Sequence, residues 1–256
     1  MLFLVGVGLE EGDISSRAAI ALKGCSEIML DRYTSVISDS YISFLEGISG
    51  KPIQMLKRQD LEENVSKTVG RAKESDIAIL VPGDPLVATT HHLIIDTAHS
   101  MGVKCRVMHS SSIFSAAIGE SCLDIYKFGP TTTIPFWYEN YKPTSFADVI
   151  LKNLSNGEHT LVLVDIDPSK GKTMGLEEAL SLLGKAWSKT TEKDFANENI
   201  MALGNVGKEG QKIYYGTASE IAAAAKEFEG MAISIIVPAS LSFAEEESLK
   251  KFEMHK

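Results

Sequence analysis

Short apolar segments alternate with helix-patterned segments through the first half of the 256-residue chain. The apolar runs predict strands at 2–7, 27–30, 52–56, 77–81 and 104–108. The segments between them predict helices at 13–22, with Asp13 as N-cap, and at 39–46, 62–73 and 90–101. Strands that alternate with helices typically form a parallel sheet with helices on its faces. The first half is therefore predicted to be an α/β domain with a parallel sheet.

The second half has a different pattern. Strands are predicted at 131–135, 160–165, 199–203, 212–216 and 232–238, and helices at 145–154, 175–187 and 217–228. Ile213-Tyr214-Tyr215-Gly216 directly follows a glycine turn at 207–210, which is typical of an antiparallel hairpin. We therefore expect a mixed sheet here. The predicted domains are residues 1–120 and 121–256.

The most informative motif follows the fourth strand, where an apolar run breaks into Pro82-Gly83-Asp84-Pro85. The prolines and the glycine fix a tight backbone path. They hold a carboxylate at the carboxyl end of a strand, where ligands bind in open α/β sheets. A turn without a ligand is the alternative, since short motifs are weak evidence for a site.

The first strand ends in Gly6-Val7-Gly8, as a dinucleotide-binding loop would begin. The GxGxxG pattern would need glycine at position 11, where this chain has Glu11. Glu11 therefore argues against a nicotinamide cofactor. Asp31 follows the second strand at a distance that suits such a cofactor, so this alternative stays open. The sequence predicts a loop that approaches a small ligand closely, preferably one without phosphates.

Composition limits the function classes further. A formal net charge of −9 disfavours nucleic acid, which would require a local basic face. Cys25, Cys105 and Cys122 are widely spaced, as expected for free thiols in a reducing compartment and not for a zinc site. No apolar run approaches the roughly 20 residues that span a bilayer. We expect a cytoplasmic protein that binds no membrane and no metal.

Several segments resemble one family over nearly the whole chain. They are Val5-Gly6-Val7-Gly8-Leu9, the Gly-Asp-Pro turn through His91, Ser111-Ser112-Ile113, Asp31-Arg32-Tyr33-Thr34-Ser35, Ile125-Tyr126-Lys127-Phe128-Gly129, Pro143-Thr144-Ser145-Phe146 and His159-Thr160-Leu161. Together they are similar to the tetrapyrrole-methylase-type methyltransferases, and within that superfamily to the diphthine synthase family.

The resemblance implies a two-domain fold with S-adenosyl-L-methionine in the cleft between the domains, and usually a homodimer. It implies methylation of the amino group of a modified histidine on translation elongation factor 2, with S-adenosyl-L-homocysteine as the product. A compact chain is more similar to the archaeal enzymes, which add three methyl groups.

The family's cofactor positions transfer to this chain residue by residue. They fall on Leu9, Asp84, Val87, Ser112, Ile113, Val164, Val206 and Ile233. The chain departs from its relatives at Leu203-Gly204-Asn205-Val206-Gly207, where an Ala-Arg-Ala-Gly type sequence is more usual, and at Ile233, where a histidine can occur.

The sequence names no catalytic residue, because a methyl group on a sulfonium is already activated and needs only alignment with the amine. His91 and His92 are candidate bases, although a histidine pair at a helix start more often caps or packs. Tyr33 and Tyr126 could line a substrate cleft, and Phe136-Trp137-Tyr138 could form a cation–π wall, with packing as the alternative for each.

Two other function classes stay open. A related methylase acting on a tetrapyrrole or other small molecule would share the first half of the chain. The Tyr126-Lys127-Phe128-Gly129 and His159-Thr160-Leu161 segments argue against it. A binding module without catalysis is the second alternative.

Overall fold

The computed structural model describes residues 1–32, 37–167 and 170–253. The chain divides into two compact units. Unit 1 comprises Met1–Ile113 and Asp167–Gly171, and unit 2 comprises Phe114–Ile166 and Lys172–Lys256.

Unit 1 contains a five-stranded sheet in the order β3-β2-β4-β1-β5, and every pairing in it is parallel. Its strands are β1 Leu2–Gly8, β2 Glu27–Asp31, β3 Ile53–Leu56, β4 Ile77–Pro82 and β5 Cys105–Met108. Its helices are α1 Ser16–Gly24, α2 Asp39–Ser49, α3 Arg58–Leu61, α4 Val65–Gly70, the 3-10 turn Arg71–Lys73 and α5 His92–Ser100. The predicted parallel sheet is confirmed.

The central strands β1 and β4 carry no polar side chains, because both faces of the sheet are covered there. Along β1, Val5 and Val7 belong to one buried cluster, while Leu2 and Leu4 belong to another. The two-residue period of an extended chain sends alternate side chains to opposite faces. The sheet therefore has a core on each side, with β1 and β4 at its centre.

Two predicted helices of unit 1 differ from the structure. The helix expected at 13–22 begins at Ser16, because the Ser15 side chain caps it by accepting the Ala18 N–H at 3.2 Å. The prediction of Asp13 as N-cap is therefore wrong. The helix expected at 62–73 begins only at Val65, because Asn64 N–H bonds back to the Gln59 carbonyl at 2.6 Å and closes the preceding turn, and it gives way to a 3-10 turn at Arg71.

Unit 2 contains a mixed sheet in the order β11-β10-β12-β7-β6, parallel only between β6 and β7. The strands of this sheet are β6 Thr132–Ile134, β7 Thr160–Val164, β10 Asn199–Gly204, β11 Lys212–Thr217 and β12 Ile233–Val237. The short strands β8 Ile166–Asp167 and β9 Lys172–Thr173 pair with each other in a separate two-stranded sheet. The antiparallel hairpin of β10 and β11 and the mixed sheet are confirmed.

The helices accompanying this sheet cover an extensive apolar core. They are α6 Ile113–Ser121, α7 Ser145–Asn156, α8 Leu176–Thr190, α9 Ala218–Ala223 and α10 Phe243–Leu249, with 3-10 turns at Ile125–Lys127, Phe195–Asn197, Ala225–Phe228 and Lys250–Phe252. Phe146, Trp187 and Phe228 are its largest fully buried side chains. The helix predicted at 217–228 stops at Ala223 and is followed by the 3-10 turn.

Candidate functional site

In unit 1, the loops after β1, β4 and β5 lie side by side, because these strands are neighbours in a parallel sheet. The first two loops are joined through their glycines: Gly8 N–H donates to the Gly83 carbonyl at 3.1 Å, and Gly83 N–H donates to the Gly8 carbonyl at 2.8 Å. The first glycine loop and the Gly-Asp-Pro turn therefore form one assembly.

Glycine is required where these loops meet. Gly8 has φ of +85°, and a Cβ there would lie 2.2 Å from the Asp13 Cβ and 2.8 Å from the Ser111 Oγ. A Cβ on Gly6 would lie 2.7 Å from the Gly83 carbonyl oxygen. Such distances are far below van der Waals contact. The glycines thus allow the loops of the protein to approach each other closely.

Asp84 joins the turn after β4 to the loop after β5. Its Oδ1 accepts the Leu86 N–H at 3.0 Å, and its Oδ2 lies 2.8 Å from His109 Nδ1 and 3.3 Å from the Ser110 backbone nitrogen. The residue is only 7% exposed. Because protein donors contact both oxygens, Asp84 organises the loops that carry the other predicted cofactor residues.

Asp13 also connects the loops, a role that its sequence pattern did not predict. Its Oδ2 accepts hydrogen bonds from Leu9 N at 2.8 Å, Glu10 N at 3.2 Å and Ser111 Oγ at 2.5 Å. Ser110 Oγ donates to the Asp13 carbonyl at 3.0 Å. The nearest sequence signal was an aspartate shortly after a glycine loop, which also fits a helix cap.

The loop assembly carries three apolar residues that are accessible to solvent. Leu9, Val87 and Ile113 are half-buried, so each presents part of its side chain to solvent. Ser112 is 8% exposed and immediately precedes α6. The predicted cofactor residues of unit 1 therefore all lie on the loops, or at the helix start, that follow β1, β4 and β5.

In unit 2, the predicted residues lie at one edge of the sheet. Gly204, which ends β10, pairs with Ile233, which begins β12, and continuing the antiparallel register of β12 and β7 places Val164 opposite Ile233. Val206 is 4% and Ile233 6% exposed, while Val164 is half-buried.

The unusual Leu203-Gly204-Asn205-Val206-Gly207 segment has a local explanation. Asn205 adopts φ of +51°, a conformation that asparagine tolerates better than most residues. Its N–H donates to the Ala232 carbonyl at 2.8 Å, and its side-chain oxygen accepts the Ala232 N–H at 3.1 Å. This reciprocal pair fixes the turn that carries Val206.

A buried ionic network connects the Tyr126-Lys127-Phe128-Gly129 and His159-Thr160-Leu161 segments. Glu245, 4% exposed, accepts hydrogen bonds from Lys127 Nζ at 2.6 Å and from His159 Nε2 at 3.0 Å. His159 Nδ1 accepts the Ala239 N–H at 2.9 Å, so the imidazole proton lies on Nε2. We call Lys127, His159 and Glu245 the Glu245 network. It was not predicted from the sequence.

The network shifts two titrations. Burial lowers the pKa of His159, although its hydrogen bond to Glu245 opposes that shift. For Glu245, burial favours the protonated form, but hydrogen bonds from Lys127 and from the Ser242 backbone hold its pKa well below the usual range. The network thus contains a neutral histidine beside an ionised carboxylate.

The histidines proposed as bases have different environments. His91 is 2% exposed; its Nδ1 lies 3.1 Å from the Pro85 carbonyl and its Nε2 lies 3.1 Å from Oδ2 of the fully buried Asp31. Both ring nitrogens of His91 therefore face buried acceptors of the protein, and Asp31 lies against His91 in the interior, where it cannot contact the ribose of a nicotinamide cofactor. His92 is exposed at the start of α5.

The aromatic residues proposed for the substrate cleft and the cation–π wall differ in how far they are buried. Phe136 is 3% exposed and belongs to the core, whereas Trp137 donates its indole N–H to the Pro143 carbonyl at 3.1 Å. Tyr138 and Tyr126 are 47% and 95% exposed. Tyr33 lies outside the described residues. In the parts of the chain that the structure describes, no group of three or more His, Cys, Asp or Glu residues could hold a metal ion.

Comparison with known proteins identifies the family. Residues 1–222 match the model of the tetrapyrrole (corrin/porphyrin) methylases. The diphthine synthase of Methanothermobacter thermautotrophicus is 39% identical over 251 residues, covering 97% of this chain and 94% of the relative. The diphthine synthase of Methanococcus maripaludis strain S2 is 35% identical and covers 98% of each. A crystal structure of a diphthine synthase superposes with a TM-score of 0.88 at 30% identity, over 98% of this chain and 95% of that chain.

The chain belongs to the tetrapyrrole methylase family and, within it, to the diphthine synthases. Its α/β fold, with a parallel and a mixed five-stranded sheet, is the fold of that family, and it is a methyltransferase of diphthamide biosynthesis. The full-length similarity to diphthine synthases does not favour a tetrapyrrole substrate. Within the described residues, no helix has both the length and the apolar character needed to cross a bilayer.

Proposed function

We propose that this methyltransferase uses S-adenosyl-L-methionine to methylate the amino group of the modified histidine of translation elongation factor 2. The proposed cofactor contacts are Leu9, Asp84, Val87, Ser112, Ile113, Val164, Val206 and Ile233. The observation that carries this proposal is the loop assembly of unit 1, where the predicted contacts of three separate segments meet at the carboxyl edge of one sheet.

The residues present fit this cofactor better than a dinucleotide. The first loop carries Glu10 and Glu11, whose negative charge would repel a pyrophosphate and favours the cationic sulfonium. The half-buried side chains of Leu9, Val87 and Ile113 offer apolar contact for an adenine and a thioether. The cofactor supplies a methyl group that is already activated by its bond to the sulfonium.

The protein's contribution to the reaction is alignment. Correct placement of reacting groups can contribute about 7–11 kcal/mol at its upper end. Asp84 holds the Gly-Asp-Pro turn against Ser110, and the glycine pair joins that turn to the first loop. Loops fixed in this way present Leu9, Val87 and Ser112 in constant positions.

The wider biological setting belongs to the same proposal. The enzyme acts in the cytoplasm as a homodimer and adds three methyl groups, as the archaeal type does, forming S-adenosyl-L-homocysteine at each transfer. Support comes from the full-length similarity to the archaeal diphthine synthases described above. Light scattering of the purified protein would measure the mass of the dimer directly.

Methyl transfer to purified elongation factor 2 carrying the aminocarboxypropyl-histidine intermediate tests the function. Mass spectrometry should show the modified histidine heavier by methyl groups, up to three. Elongation factor 2 with the unmodified histidine is the matched control and should gain none. Labelling of a tetrapyrrole precursor, with none of the elongation factor, would contradict the proposal.

A further inference from the structure

Asp13 lies in the first loop but is not among the proposed cofactor contacts. Asp13 is solvent-exposed, yet one of its carboxylate oxygens accepts hydrogen bonds from Leu9 N, Glu10 N and Ser111 Oγ. These donors come from two segments about a hundred positions apart in the sequence. An exposed carboxylate usually remains hydrated and mobile, so this convergence calls for an explanation.

The geometry around Asp13 leaves little freedom. Ser111 Oγ also accepts the Leu9 N–H at 3.2 Å, and Ser110 Oγ donates to the Asp13 carbonyl at 3.0 Å. Gly8 is packed so closely that an added Cβ would lie 2.8 Å from the Asp13 Oδ2 itself. The carboxylate is therefore fixed from both of the loops that it joins.

The neighbours of these donors are the proposed contact residues. Asp13 holds the backbone of Leu9 directly, and it holds the side chain of Ser111, which immediately precedes Ser112 and Ile113. Hydrogen bonds to a charged acceptor are roughly twice as strong as neutral ones. A carboxylate at this point therefore fixes the spacing between the loops after β1 and β5.

We infer that Asp13 is a positioning residue for S-adenosyl-L-methionine binding, acting by holding the loop after β1 against the loop after β5. This inference rests on the proposed function, because it concerns the same cofactor. It adds a residue that neither contacts the cofactor nor belongs to the buried core. Since Asp13 is exposed, replacing it should affect the loops and leave the core of unit 1 intact.

The test compares Asp13→Ala with Asp13→Asn by calorimetric titration of S-adenosyl-L-homocysteine. Asp13→Ala should raise the Kd by about tenfold or more, because it removes the charged acceptor of three hydrogen bonds between the loops. Asp13→Asn keeps an acceptor oxygen and should recover part of this affinity. Asp96→Ala removes an exposed carboxylate from α5 and should bind as the wild type does.

Amide hydrogen exchange of the cofactor-free protein supplies a second readout. In Asp13→Ala, exchange at Leu9 and Glu10 should accelerate, while the amides of β1 and β4 keep their protection. An unchanged Kd for Asp13→Ala would overturn the inference. So would general loss of protection in both Asp13 variants, which would assign the residue to folding. If the wild type itself fails to bind, the proposed function fails.

Discussion

Both units use carboxylates to gather donors from distant segments, but they do so in different surroundings. In unit 1, the exposed Asp13 and the nearly buried Asp84 join loops at the carboxyl edge of β1, β4 and β5. In unit 2, the buried Glu245 accepts bonds from a lysine and a histidine at the amino end of β7. The predicted contacts Val164, Val206 and Ile233 lie at the other edge of that sheet.

The difference indicates separate roles for the two arrangements. A buried carboxylate with charged partners is strongly coupled to folding, because removing one partner leaves another buried without compensation. An exposed or loop-bound carboxylate determines local geometry at a smaller cost in stability. Substitutions in the Glu245 network should therefore mainly lower stability, and those in the loop assembly should mainly lower cofactor affinity.

The largest loss of stability is expected for Glu245→Gln. Glutamine keeps one acceptor oxygen but places an amide NH2 group against either Lys127 or His159, and it removes the negative charge that pairs with Lys127; breaking a buried pair costs about 3–5 kcal/mol. The lower end is expected, because the Lys127 side chain is 29% exposed. Denaturant unfolding measures the effect. Glu246→Gln, at the neighbouring exposed glutamate, is the control. Equal stabilities of the two variants would contradict the idea that the Glu245 network acts mainly on stability.

Gly8→Ala tests the packing of the loop assembly. A positive φ costs about 1–2 kcal/mol for a residue with a Cβ, and overpacking adds about 1–3 kcal/mol. Cofactor affinity should fall strongly, because the new Cβ displaces Asp13. Gly157→Ala has a similar φ of +76° but no atom within 4 Å of its Cβ position. If Gly157→Ala reduced cofactor affinity equally, close packing would not be the reason.

Asp84→Leu should both weaken cofactor binding and destabilise unit 1. The variant leaves the backbone N–H groups of Leu86 and Ser110 without their acceptor; because both hydrogen bonds are only part-buried, water can replace the carboxylate, and the total cost should stay within about 1–3 kcal/mol. The chain should still fold, since the cores on both faces of the sheet are untouched. Calorimetry that shows unchanged affinity would contradict the role assigned to the Gly-Asp-Pro turn.

The smallest effect is a pH dependence that originates in unit 2. Because burial lowers the pKa of His159 in the folded state, the unfolded chain binds the proton more readily. The contribution of neutral His159 to the free energy of unfolding is fully present above the unfolded-state pKa of about 6.5. It is lost as the pH falls below that value, by at most about 1.4 kcal/mol per pH unit.

Unfolding free energies measured between pH 7.5 and pH 5 by denaturant titration should show this slope in the wild type. His159→Gln should have a shallower slope over the same interval. If the unfolding free energy of the variant changed equally steeply with pH, a group other than His159 would be responsible.

The local sequence predicted much of the fold. Uninterrupted apolar runs identified β1 and β4, because a strand covered on both faces needs no polar alternation. The family resemblance alone predicted that the glycine loop and the Gly-Asp-Pro turn belong to one site. The wrong assignments, Asp13 as a cap and one helix at 62–73, concerned helix boundaries, where several serine, asparagine and aspartate residues compete for the same role.

The sequence by itself determined the two sheets, the family and the segments expected to hold the cofactor. Only the tertiary structure decided what the carboxylates contact. Asp13 meets a serine 98 positions away, and Glu245 meets a histidine 86 positions away. The hydrophobic periodicity of a segment indicates which of its faces is buried, but it carries no information on strand order. Strand order determines which loops are neighbours, and a carboxylate can accept hydrogen bonds only from donors in neighbouring segments.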